Sequence, residues 1–572
     1  MRKNADIAKV FYEIADLLDI QDVQWKPEAY RRAAQAIESL SEDIAVVVRE
    51  GRVKGIPGIG EGIGKKVEEF VATGKLAYLD KLRKEVPIKV EEFAGIEGLG
   101  PKTLKRLYKE LGVRTLRDLK SVAKRGKIQH LRGLGEKKEH QLLQSIELAQ
   151  KRPLHRILLG HAVPIAEEIV AYLKKVPGSE RIEVAGSYRR GMETIGDIDI
   201  LAITKDPKTL MTAFVSMPEI RRVFAKGETK SSIQLNNSVQ VDVRVLKKEQ
   251  YGSALQYFTG SKEHSIELRK RALKKGYTLS EYGMFTVKGK KLVAGKTEED
   301  IYHRLGLDYI PPEMRENLGE IDLAAEHKIP KLIELADIHG DFQTQTTWSD
   351  GVHSIEDLAR QAQAMGWSFI VITDHVGGIG IANPLDEKRL RKQGKEIDTL
   401  NKKLDIRIFK GAEVDIKKDG ELALSKTMCN ELDVVLASVH SAFRMPAKEM
   451  TQRLCSALEN YPVTILGHPT GRLINQRDPI DFDLDTVFHV AKDRHVFLEV
   501  NGQPTRLDLP DVHIHRAREI GCSFAISSDA HSKEQLRYVR FGVLTARRGW
   551  LEKKHVLNTK SSKAIEKILA KK

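Results

Sequence analysis

The chain has 572 residues, of which 95 are lysine or arginine and 80 are aspartate or glutamate, so its formal net charge at pH 7 is +15. This length exceeds what a single hydrophobic core supports and predicts about three to five domains, while the basic balance favours a polyanionic partner without specifying it. The three cysteines exclude a disulfide framework, and neither a signal peptide nor an apolar run of membrane-spanning length is found, so we expect a reducing, cytoplasmic location.

Three short segments in the amino-terminal part share the pattern apolar-x-Gly-apolar-Gly, and each is followed by a lysine-rich, helix-like segment. They begin at Ile56, Ile96 and Leu131, and their paired glycines are Gly58 and Gly60, Gly98 and Gly100, and Gly133 and Gly135. Glycine allows a tight turn that aims backbone N–H groups and a helix N-terminus at a phosphate, a contact that does not read base sequence. One copy would be typical of a plain helix connection. Three copies beside lysines favour phosphate binding.

A glycine-rich loop is followed closely by a pair of acids. The loop, Gly186–Gly191, has the sequence GSYRRG, and the acids Asp197 and Asp199 flank Ile198. On a strand, the period of two puts both carboxylates on one face and the apolar side chains on the other. Such oxygen ligands suit Mg²⁺, and two ions can clamp the attacking and leaving oxygens of an in-line phosphoryl displacement. The pattern predicts a nucleotidyl-transfer site, the alternative being a solvated edge strand with two surface acids.

A third acid lies on another predicted strand. The segment Val239–Val245 alternates strongly, with Gln240, Asp242 and Arg244 on one face and valines on the other. Three carboxylates on two strands can hold two metal ions. Asp242 would then lower the pKa of an attacking 3′-hydroxyl or accept its proton. The alternative is one exposed acid on an amphipathic strand.

The pattern changes after Pro311 and Pro312, where an amphipathic segment expected to be a linker leads into short apolar strands alternating with helices. The strands are predicted at Phe369–Thr373, Val434–Ala437, Thr464–Leu466, Val496–Val500 and Ser523–Ile526. Apolar runs separated by helices favour buried parallel strands and a closed β/α barrel. Polar residues are expected to follow these strands or their next turns, at the edge where barrels build sites: Asp374, His375, Glu413, His440, His468, Asp529 and His531.

The segments around the three aspartates resemble the catalytic core of the family X DNA polymerases, the group that contains DNA polymerase beta. The resemblance implies that Asp197, Asp199 and Asp242 are the metal-binding triad and that Ser187 and Arg190 hold the triphosphate of the incoming nucleotide. The aromatic pair Tyr257 and Phe258 with Gly260, a composition suited to packing against a sugar, matches the segment that favours deoxyribose. Arg269 matches an arginine that touches the template strand. Ser265 departs from the pattern, because polymerase beta has at this position an asparagine that contacts the nascent base pair.

The stretch from Met1 to about Leu82 resembles the amino-terminal domain of polymerase beta, and the glycine segments resemble helix-hairpin-helix motifs. That domain binds a downstream 5′-phosphate and removes 5′-deoxyribose phosphate through a lysine Schiff base. Lys26, Tyr30 and Lys54 match parts of its phosphate pocket, and Lys66 matches the nucleophile. Gly62 stands where the family has another pocket lysine, which removes a cation that would keep part of the nucleophilic lysine uncharged. We expect 5′-phosphate binding and leave the lyase activity open.

The carboxyl-terminal part resembles the PHP domain, a distorted barrel that usually holds three metal ions and hydrolyses phosphoesters. The candidate ligands that match its motifs are Asp350, His375, Glu413, His440, His468, Asp529 and His531. The first motif of the family has two histidines separated by one residue, but this chain has Gln343 and Gln345. A neutral amide oxygen is a poorer ligand than imidazole for Zn²⁺ or Mn²⁺. We therefore expect an incomplete metal site and a weakened or lost 3′-5′ exonuclease.

The predicted fold class is multidomain α+β and α/β. Its parts are a helical 5′-phosphate-binding, lyase-like domain at 1–85, a helix-hairpin-helix, fingers-like subdomain at 86–150, a nucleotidyltransferase palm with a mixed or antiparallel sheet at 151–246, a thumb-like nucleotide-selection subdomain at 247–312, a linker at 313–337 and the distorted β/α barrel at 338–572. This is the layout of bacterial and archaeal family X polymerases.

The implied function is gap-filling synthesis in DNA base excision repair. We expect a monomer without a membrane role, acting in the cytoplasm at the nucleoid on gapped or primed DNA, with deoxynucleoside triphosphates and Mg²⁺ or Mn²⁺. Two other classes stay open. One is a metal-dependent DNA 3′-end phosphoesterase or nuclease whose amino-terminal half binds DNA, and the other is a non-catalytic DNA-binding scaffold. The complete aspartate triad counts against both, and the two glutamines count against the nuclease.

Overall fold

The structure is a computed structural model that describes residues 3–38, 44–56, 59–93, 99, 101–131, 134–135, 139, 142–143, 156–377 and 382–570. The chain divides into two compact units, Met1–His155 and Arg156–Lys572. Among the described residues, no helix combines the length and the apolar character that crossing a membrane requires.

The amino-terminal unit is helical, as predicted. Its α-helices are Lys3–Ile20, Lys26–Glu38, Ile44–Arg49, Glu61–Thr73, Ala77–Glu85, Pro101–Leu111 and Leu116–Lys124, joined by short 3-10 turns at Val53–Gly55, Val90–Phe93 and Ile128–His130. Apolar residues at helical spacing, including Ile7, Phe11, Ile14 and Leu18, are buried in its core. The ring of Phe11 meets that of Tyr30 edge to face at 5.5 Å between centroids, which joins the first two helices.

The second unit begins with a mixed five-stranded sheet. The strands of this region are β1 (Ile157–Leu158), β2 (Ser179–Val184), β3 (Thr194–Ile195), β4 (Ile198–Thr204), β5 (Ile220–Ala225), β6 (Lys230–Leu235) and β7 (Gln240–Val245), and its helices are Leu159–Lys174, Gly186–Arg189 and Pro207–Val215. The sheet order is β2-β4-β7-β6-β5, and β1 pairs with β3 separately. Strands β4 and β7 are parallel, whereas the other neighbours are antiparallel. The predicted mixed palm sheet is confirmed.

A smaller antiparallel sheet follows. Its strands are β8 (Tyr277–Ser280), β9 (Gly283–Thr286) and β10 (Leu292–Ala294), and the helices around it are Tyr251–Thr259, Lys262–Lys274 and Glu298–Arg304. The segment predicted as a linker contains the helix Glu320–Ala325. Its Met314 and Ile321 are buried in one core with Trp550 from the carboxyl-terminal region. This segment therefore packs on both of its neighbours.

The carboxyl-terminal strands form the predicted parallel barrel, which is nearly closed. They are β11 (Gly340–Asp341), β12 (Phe369–Ile372), β13 (His375–Val376), β14 (Arg407–Asp415), β15 (Val434–Ser438), β16 (Ile465–Leu466), β17 (Phe497–Asn501) and β18 (Phe524–Ser527). The α-helices between and after them are Ile355–Ala364, Glu387–Leu400, Lys426–Cys429, Ala447–Asn460, Leu484–Asp493, Asp511–Ile520, Val539–Arg548 and Ser562–Leu569. The order is β11-β12-β14-β15-β16-β17-β18, with β13 beside β14. A parallel bridge between Thr344 and Ala530 links the first and last strands beyond their ends.

The strand β14 is absent from the sequence prediction. Lys410 and Gly411 interrupt its apolar run, which hides a buried strand of nine residues. The expectation that Glu413 follows a strand is therefore wrong, because Glu413 lies inside β14. At this point β14 pairs with β13, and His375 lies opposite Glu413.

The palm sheet and the barrel share a hydrophobic core. Leu507 and Phe541 of the barrel are buried together with Ala162 and Leu173 of the palm helix. Gly160, in the first turn of that helix, allows the close approach, since a Cβ atom there would lie 2.3 Å from Cβ of Pro504. The two regions are therefore parts of one folded body.

Candidate active site and metal centre

The three predicted aspartates lie on the parallel strands β4 and β7. Asp199 pairs with Asp242 in the register of these strands, and Asp197 directly precedes β4. Ile198, Ile200, Val241 and Val243 are fully buried on the opposite face. The alternating sequence therefore brings the carboxylates together at one edge of the palm sheet, as the period of two requires.

The surroundings of Asp242 distinguish its two oxygens. Oδ1 accepts hydrogen bonds from the Ser232 hydroxyl and from Nε2 of Gln240, the latter at 3.1 Å. Oδ2 lies 3.9 Å from Nζ of Lys230. Oδ1 therefore has two close neutral donors, whereas the contact of Oδ2 with Lys230 is longer.

Asp199 is buried beside two other carboxylates. Burial, followed by the neighbouring carboxylates Asp197 and Asp242, raises its pKa to about 7, against the opposing effects of Arg244 and Lys230. Carboxylates crowded in this way repel one another unless a cation lies between them. The donor set consists of oxygen atoms only, which fits Mg²⁺ or Mn²⁺.

Gly186 makes the close approach of the loop to Asp199 possible. Its φ is +63°, and a Cβ atom would lie 2.6 Å from Oδ2 of Asp199. The backbone N–H of Ala185 donates to the carbonyl oxygen of Asp199 at 2.8 Å. The glycine-rich loop is thus seated directly on the acidic edge.

The two arginines of the loop have different partners. Arg189 is bound in a bidentate pair to the buried Glu298, at 2.7 and 3.0 Å. Arg190 donates from Nε to Glu316 at 2.9 Å and from Nη1 to the carbonyl oxygen of Thr259 at 2.5 Å. Ser187, the other predicted triphosphate residue, is half-buried in the same helical turn. The sequence contains no signal for either glutamate, because both are more than 100 residues away along the chain.

The predicted sugar-contacting segment ends the helix Tyr251–Thr259. Tyr257 is 37% exposed, while Phe258 lies under the guanidinium of Arg244 at 4.5 Å from its ring centroid. Gly260 has a φ of +70°, and a Cβ atom there would lie 3.2 Å from Nη1 of Arg190. The structure therefore brings this segment against the predicted triphosphate residue.

Ser265 and Arg269 lie one turn apart on the helix Lys262–Lys274. Ser265 is buried, and its Oγ has no hydrogen-bond partner within the described part of the chain. Arg269 is exposed and donates from Nε to the carbonyl oxygen of Ser265 at 3.2 Å. The guanidinium of Arg269 is thus available at the surface for a phosphate.

The residues predicted for the 5′-phosphate pocket lie in the amino-terminal unit. Lys26 and Lys54 are exposed, whereas Tyr30 is buried and stacks on Tyr78 at 6.1 Å between centroids. Lys66 donates to the carbonyl oxygen of Gly62 at 3.0 Å and lies 4.9 Å from the centroid of the Tyr78 ring.

The predicted glycine turns are described in part. Gly60 precedes the helix Glu61–Thr73 and is exposed. Gly135 is exposed, and its carbonyl oxygen accepts a hydrogen bond from the Glu139 backbone at 3.1 Å. The other predicted glycines, Gly58, Gly98, Gly100 and Gly133, lie outside the described residues.

Glu413 is the centre of the predicted barrel site. Its Oε1 lies 3.1 Å from Nε2 of His440 and 2.9 Å from Nε2 of His468, and its Oε2 lies 3.3 Å from Nδ1 of His375. Burial tends to raise the pKa of Glu413, but His375 and His440 outweigh it and hold that pKa well below the usual range. Asp350 completes the cluster, with Oδ2 at 3.7 Å from Nε2 of His375 and 3.5 Å from Nε2 of His531.

Two groups of these side chains have the spacing of metal ligands. They are Asp350, His375 and His531, and His375, Glu413 and His440, with the ligand atoms of each group within 4.8 Å of one another. Imidazole and carboxylate ligands suit Zn²⁺ or Mn²⁺. Asp415, which was not identified from the sequence, accepts a hydrogen bond at Oδ1 from Nδ1 of His440 and orients that ring. Asp415 could have been found from its position two residues after Glu413, which puts both side chains on the same face of β14.

The position of the two glutamines does not fit a metal ion. Nε2 of Gln343 and Nε2 of Gln345 both donate to Oε2 of Glu413, at 2.9 and 3.2 Å. Asn501 donates to Oε1 of Gln343 and to Oδ2 of Asp529, both at 3.2 Å. Amide N–H groups therefore donate to the carboxylates of both Glu413 and Asp529.

Arg506 is a further polar partner of Asp529. Its Nε lies 3.5 Å from Oδ2 of Asp529, so a guanidinium already pairs with the predicted metal ligand. Burial, together with Arg506, lowers the pKa of His468. Neither Asn501 nor Arg506 was identified from the sequence, although Asn501 directly follows the predicted strand Val496–Val500.

Family models match successive parts of the chain. The matches are a Helix-hairpin-helix domain at 2–76, a SAM-like Helix-hairpin-helix tandem at 90–147, the DNA polymerase beta palm at 161–252, the DNA polymerase beta thumb at 254–316 and a PHP domain at 340–503. They confirm the predicted combination of folds.

Curated proteins match either nearly all of the chain or about half of it. The DNA polymerase/3′-5′ exonuclease PolX of Bacillus subtilis (strain 168) is 38% identical over 568 residues, which cover 99% of both chains. DNA polymerase lambda of Rattus norvegicus is 25% identical over 55% of this chain and 56% of its own, and DNA-directed DNA/RNA polymerase mu of Homo sapiens is 25% identical over 54% of this chain and 69% of its own. The chain therefore belongs to the family X DNA polymerases of the PolX type, in which a polymerase beta-like core is joined to a carboxyl-terminal PHP domain.

Proposed function

We propose that this chain fills short gaps in DNA by two-metal nucleotidyl transfer from deoxynucleoside triphosphates. The observation that carries the proposal is the pairing of Asp199 with Asp242 on adjacent parallel strands, with Asp197 at the start of the first of them. Gly186 seats the phosphate-binding loop against the same edge. The arrangement suits transfer of a nucleotide onto a DNA end.

Asp242 acts as the acceptor of the 3′-hydroxyl proton at Oδ2, because Ser232 and Gln240 occupy Oδ1. Arg190 and Ser187 hold the triphosphate, while Tyr257 and Phe258 lie beside the sugar. The three aspartates would hold Mg²⁺ or Mn²⁺, which when bound stabilises the developing charge on the attacking and leaving oxygens.

The test is extension of a labelled primer across a one-nucleotide gap. We expect Asp242→Ala to reduce the rate by about 10³-fold or more, because both a metal ligand and the proton acceptor are removed. Asp206→Ala is the control, since Asp206 is an acid of the same region that caps the helix Pro207–Val215. Extension by the Asp242 variant at the wild-type rate would refute the proposal.

The amino-terminal unit is proposed to bind the 5′ side of a gap. Lys26 and Lys54 are exposed cations, and the exposed Gly60 precedes the N-terminus of the helix Glu61–Thr73, where backbone N–H groups attract a phosphate. Lys66 is less well suited to Schiff-base chemistry, because its amino group is engaged by Gly62 and by the ring of Tyr78. We therefore propose that this unit binds phosphate, and the lyase reaction is not part of the proposal.

The barrel is proposed to have a weakened 3′-5′ exonuclease. The hydrogen bonds of Gln343 and Gln345 to Glu413 support this proposal, because they use the oxygen that a metal ion would need. The remaining ligands around His375 would hold one or two Zn²⁺ or Mn²⁺ ions. The Bacillus subtilis relative is named for both activities, so a comparison of the two proteins is informative.

Metal analysis by mass spectrometry tests this second part. We expect at most two tightly bound transition metals per chain in the wild type, and one more in the double variant Gln343→His, Gln345→His, together with faster shortening of a labelled 3′ end. Gln363→His, at an exposed position of the barrel, controls for adventitious binding by an added imidazole. Three metals in the wild type would contradict the proposal.

A further inference from the structure

One side chain of the barrel reaches the phosphate-binding loop of the palm. Arg548, at the end of the helix Val539–Arg548, is 9% exposed. Its Nη1 donates to the carbonyl oxygen of Arg190 at 2.9 Å and to Oε1 of Glu316 at 3.0 Å. Gly191, the residue after Arg190, lies against the same helix and has a φ of +66°.

The same carboxylate oxygen joins the two arginines. Nε of Arg190 donates to Oε1 of Glu316 at 2.9 Å, so both guanidinium groups share one acceptor. Arg548 is itself fixed within the barrel, because its Nη2 donates to Oδ2 of Asp511 at 2.5 Å. A chain of contacts therefore runs from the barrel helix Asp511–Ile520 to the guanidinium of Arg190.

The shared carboxylate affects where the guanidinium of Arg190 is held. Glu316 Oε1 accepts from Nε of Arg190, so the position of this carboxylate helps to set the position of the Arg190 guanidinium. Arg548 fixes that carboxylate from the other side and also holds the backbone of Arg190 through its carbonyl oxygen. Nε and Nη1 of Arg190 are fixed by Glu316 and Thr259, which leaves Nη2 for an anion.

We propose that Arg548 of the barrel is a positioning residue for Arg190, and that the barrel thereby sets the affinity of the palm for a nucleoside triphosphate. The inference rests on the proposed function, in which Arg190 binds the triphosphate. It is independent of any nuclease activity, because the contact lies outside the cluster around Glu413. A barrel without a complete metal site would still be needed for nucleotide binding.

The test uses the full-length protein in single-turnover extension of a one-nucleotide gap over a range of deoxynucleoside triphosphate concentrations. We expect Arg548→Met to raise the half-saturating concentration about tenfold, equivalent to about 1.4 kcal/mol, with the maximal rate within about threefold of wild type. Arg548→Lys should be intermediate, because lysine keeps the charge but lacks the planar fork. Arg547→Met is the control, since Arg547 lies on the same helix as Arg548 but pairs with Glu313 and does not contact Arg190.

A second variant keeps the test decisive if Arg548→Met folds poorly. Glu316→Gln also weakens the anchoring of Arg190, and its effect on nucleotide affinity should be non-additive with that of Arg548→Met. Additive effects, or an unchanged half-saturating concentration in Arg548→Met, would overturn the positioning role. Arg190→Met distinguishes a failure of the proposed triphosphate role from a failure of the positioning role. If it leaves nucleotide affinity unchanged, the proposed triphosphate role fails, whereas a large effect of Arg190→Met without any effect of Arg548→Met refutes the positioning role alone.

Discussion

Replacing Gly186 by alanine tests the geometry of the acidic edge most directly. The backbone of Gly186 has a φ of +63°, and a Cβ atom would lie 2.6 Å from Oδ2 of Asp199. An ordinary contact begins near 3.4 Å, so the carboxylate oxygen has to move by about 0.8 Å to accommodate the methyl group. The move would carry Oδ2 out of the position that a shared metal ion requires.

The expected cost has a structural part and a catalytic part. Forcing a non-glycine residue into the left-handed region costs roughly 1–2 kcal/mol of stability. Mg²⁺ demands near-ideal geometry at about 2.0–2.1 Å, and a misplacement of about 1 Å costs on the order of 10² in rate. We therefore expect the maximal rate of gap extension by Gly186→Ala to fall about 100-fold.

Gly276→Ala is the matched control. Gly276 has a φ of +79°, but a Cβ atom there would meet nothing within 4 Å. Both variants should lose similar stability in thermal unfolding, while the rate of single-turnover extension should fall in Gly186→Ala alone. If Gly186→Ala keeps its rate within about threefold, or if both variants lose rate equally, the proposed placement of the loop against Asp199 is wrong.

Three further predictions concern other parts of the chain. Lys66→Ala should abolish borohydride trapping on a 5′-deoxyribose phosphate substrate if the lyase exists, whereas Lys65→Ala should leave it unchanged; trapping that survives Lys66→Ala excludes this residue as nucleophile. Glu298→Gln should destabilise the protein by about 3–5 kcal/mol, measured at neutral pH against the exposed control Glu299→Gln. Burial tends to raise the pKa of Glu298, but Arg315 and Arg189 lower it from 4.5 to about 2, so its contribution is complete above pH 4.5 and is lost as the pH falls toward 2. A gap with a 5′-phosphate should be extended faster than an open primer-template, and the affinity for DNA should fall about 10³-fold or more between 50 and 200 mM salt if about six or more phosphates are contacted; equal rates, or a flat salt response, would contradict phosphate binding by Lys26 and Lys54.

The parts of the site that local periodicity controls were predictable from the sequence. The alternation of Asp197, Ile198 and Asp199 indicates one polar and one apolar face, and the structure buries Ile198 and Ile200 accordingly. The strand β12 is apolar throughout and β15 is apolar up to its last residue, Ser438, which is typical of strands covered on both faces. Periodicity needs no knowledge of distant partners, and these predictions therefore succeeded.

Pairings between distant segments were not predictable. Arg189 and Arg190 are adjacent in one motif, yet Glu298 holds the first and Glu316 holds the second. Which arginine meets which carboxylate depends on how the segments pack. The strand β14 was missed for a related reason, because Lys410 in its middle pairs with Asp398 on a neighbouring helix. A charge inside a buried strand is compatible with the fold only when such a partner exists.

The glutamines raise the question of why the barrel is retained if its nuclease is weak. Its Ile474, Leu507 and Phe541 are buried in the core of the palm, and each such side chain contributes roughly 1.5–3 kcal/mol. The ion pair of Arg472 with Glu193, at 2.6 Å, lies beside this core. A chain that ends at residue 337 would leave this surface of the palm uncovered.

We therefore expect the truncated chain to lose both folded yield and gap extension. Full-length His375→Asn should lose a barrel metal ligand but keep gap extension within about twofold, because His375 touches the barrel cluster and not the palm. The comparison separates the covering role of the barrel from its chemistry, with circular dichroism and single-turnover extension as the measurements. A truncated chain that folds and extends as the full-length protein does would show that the shared core is dispensable. Loss of extension in both proteins would instead tie the metal cluster to the polymerase reaction.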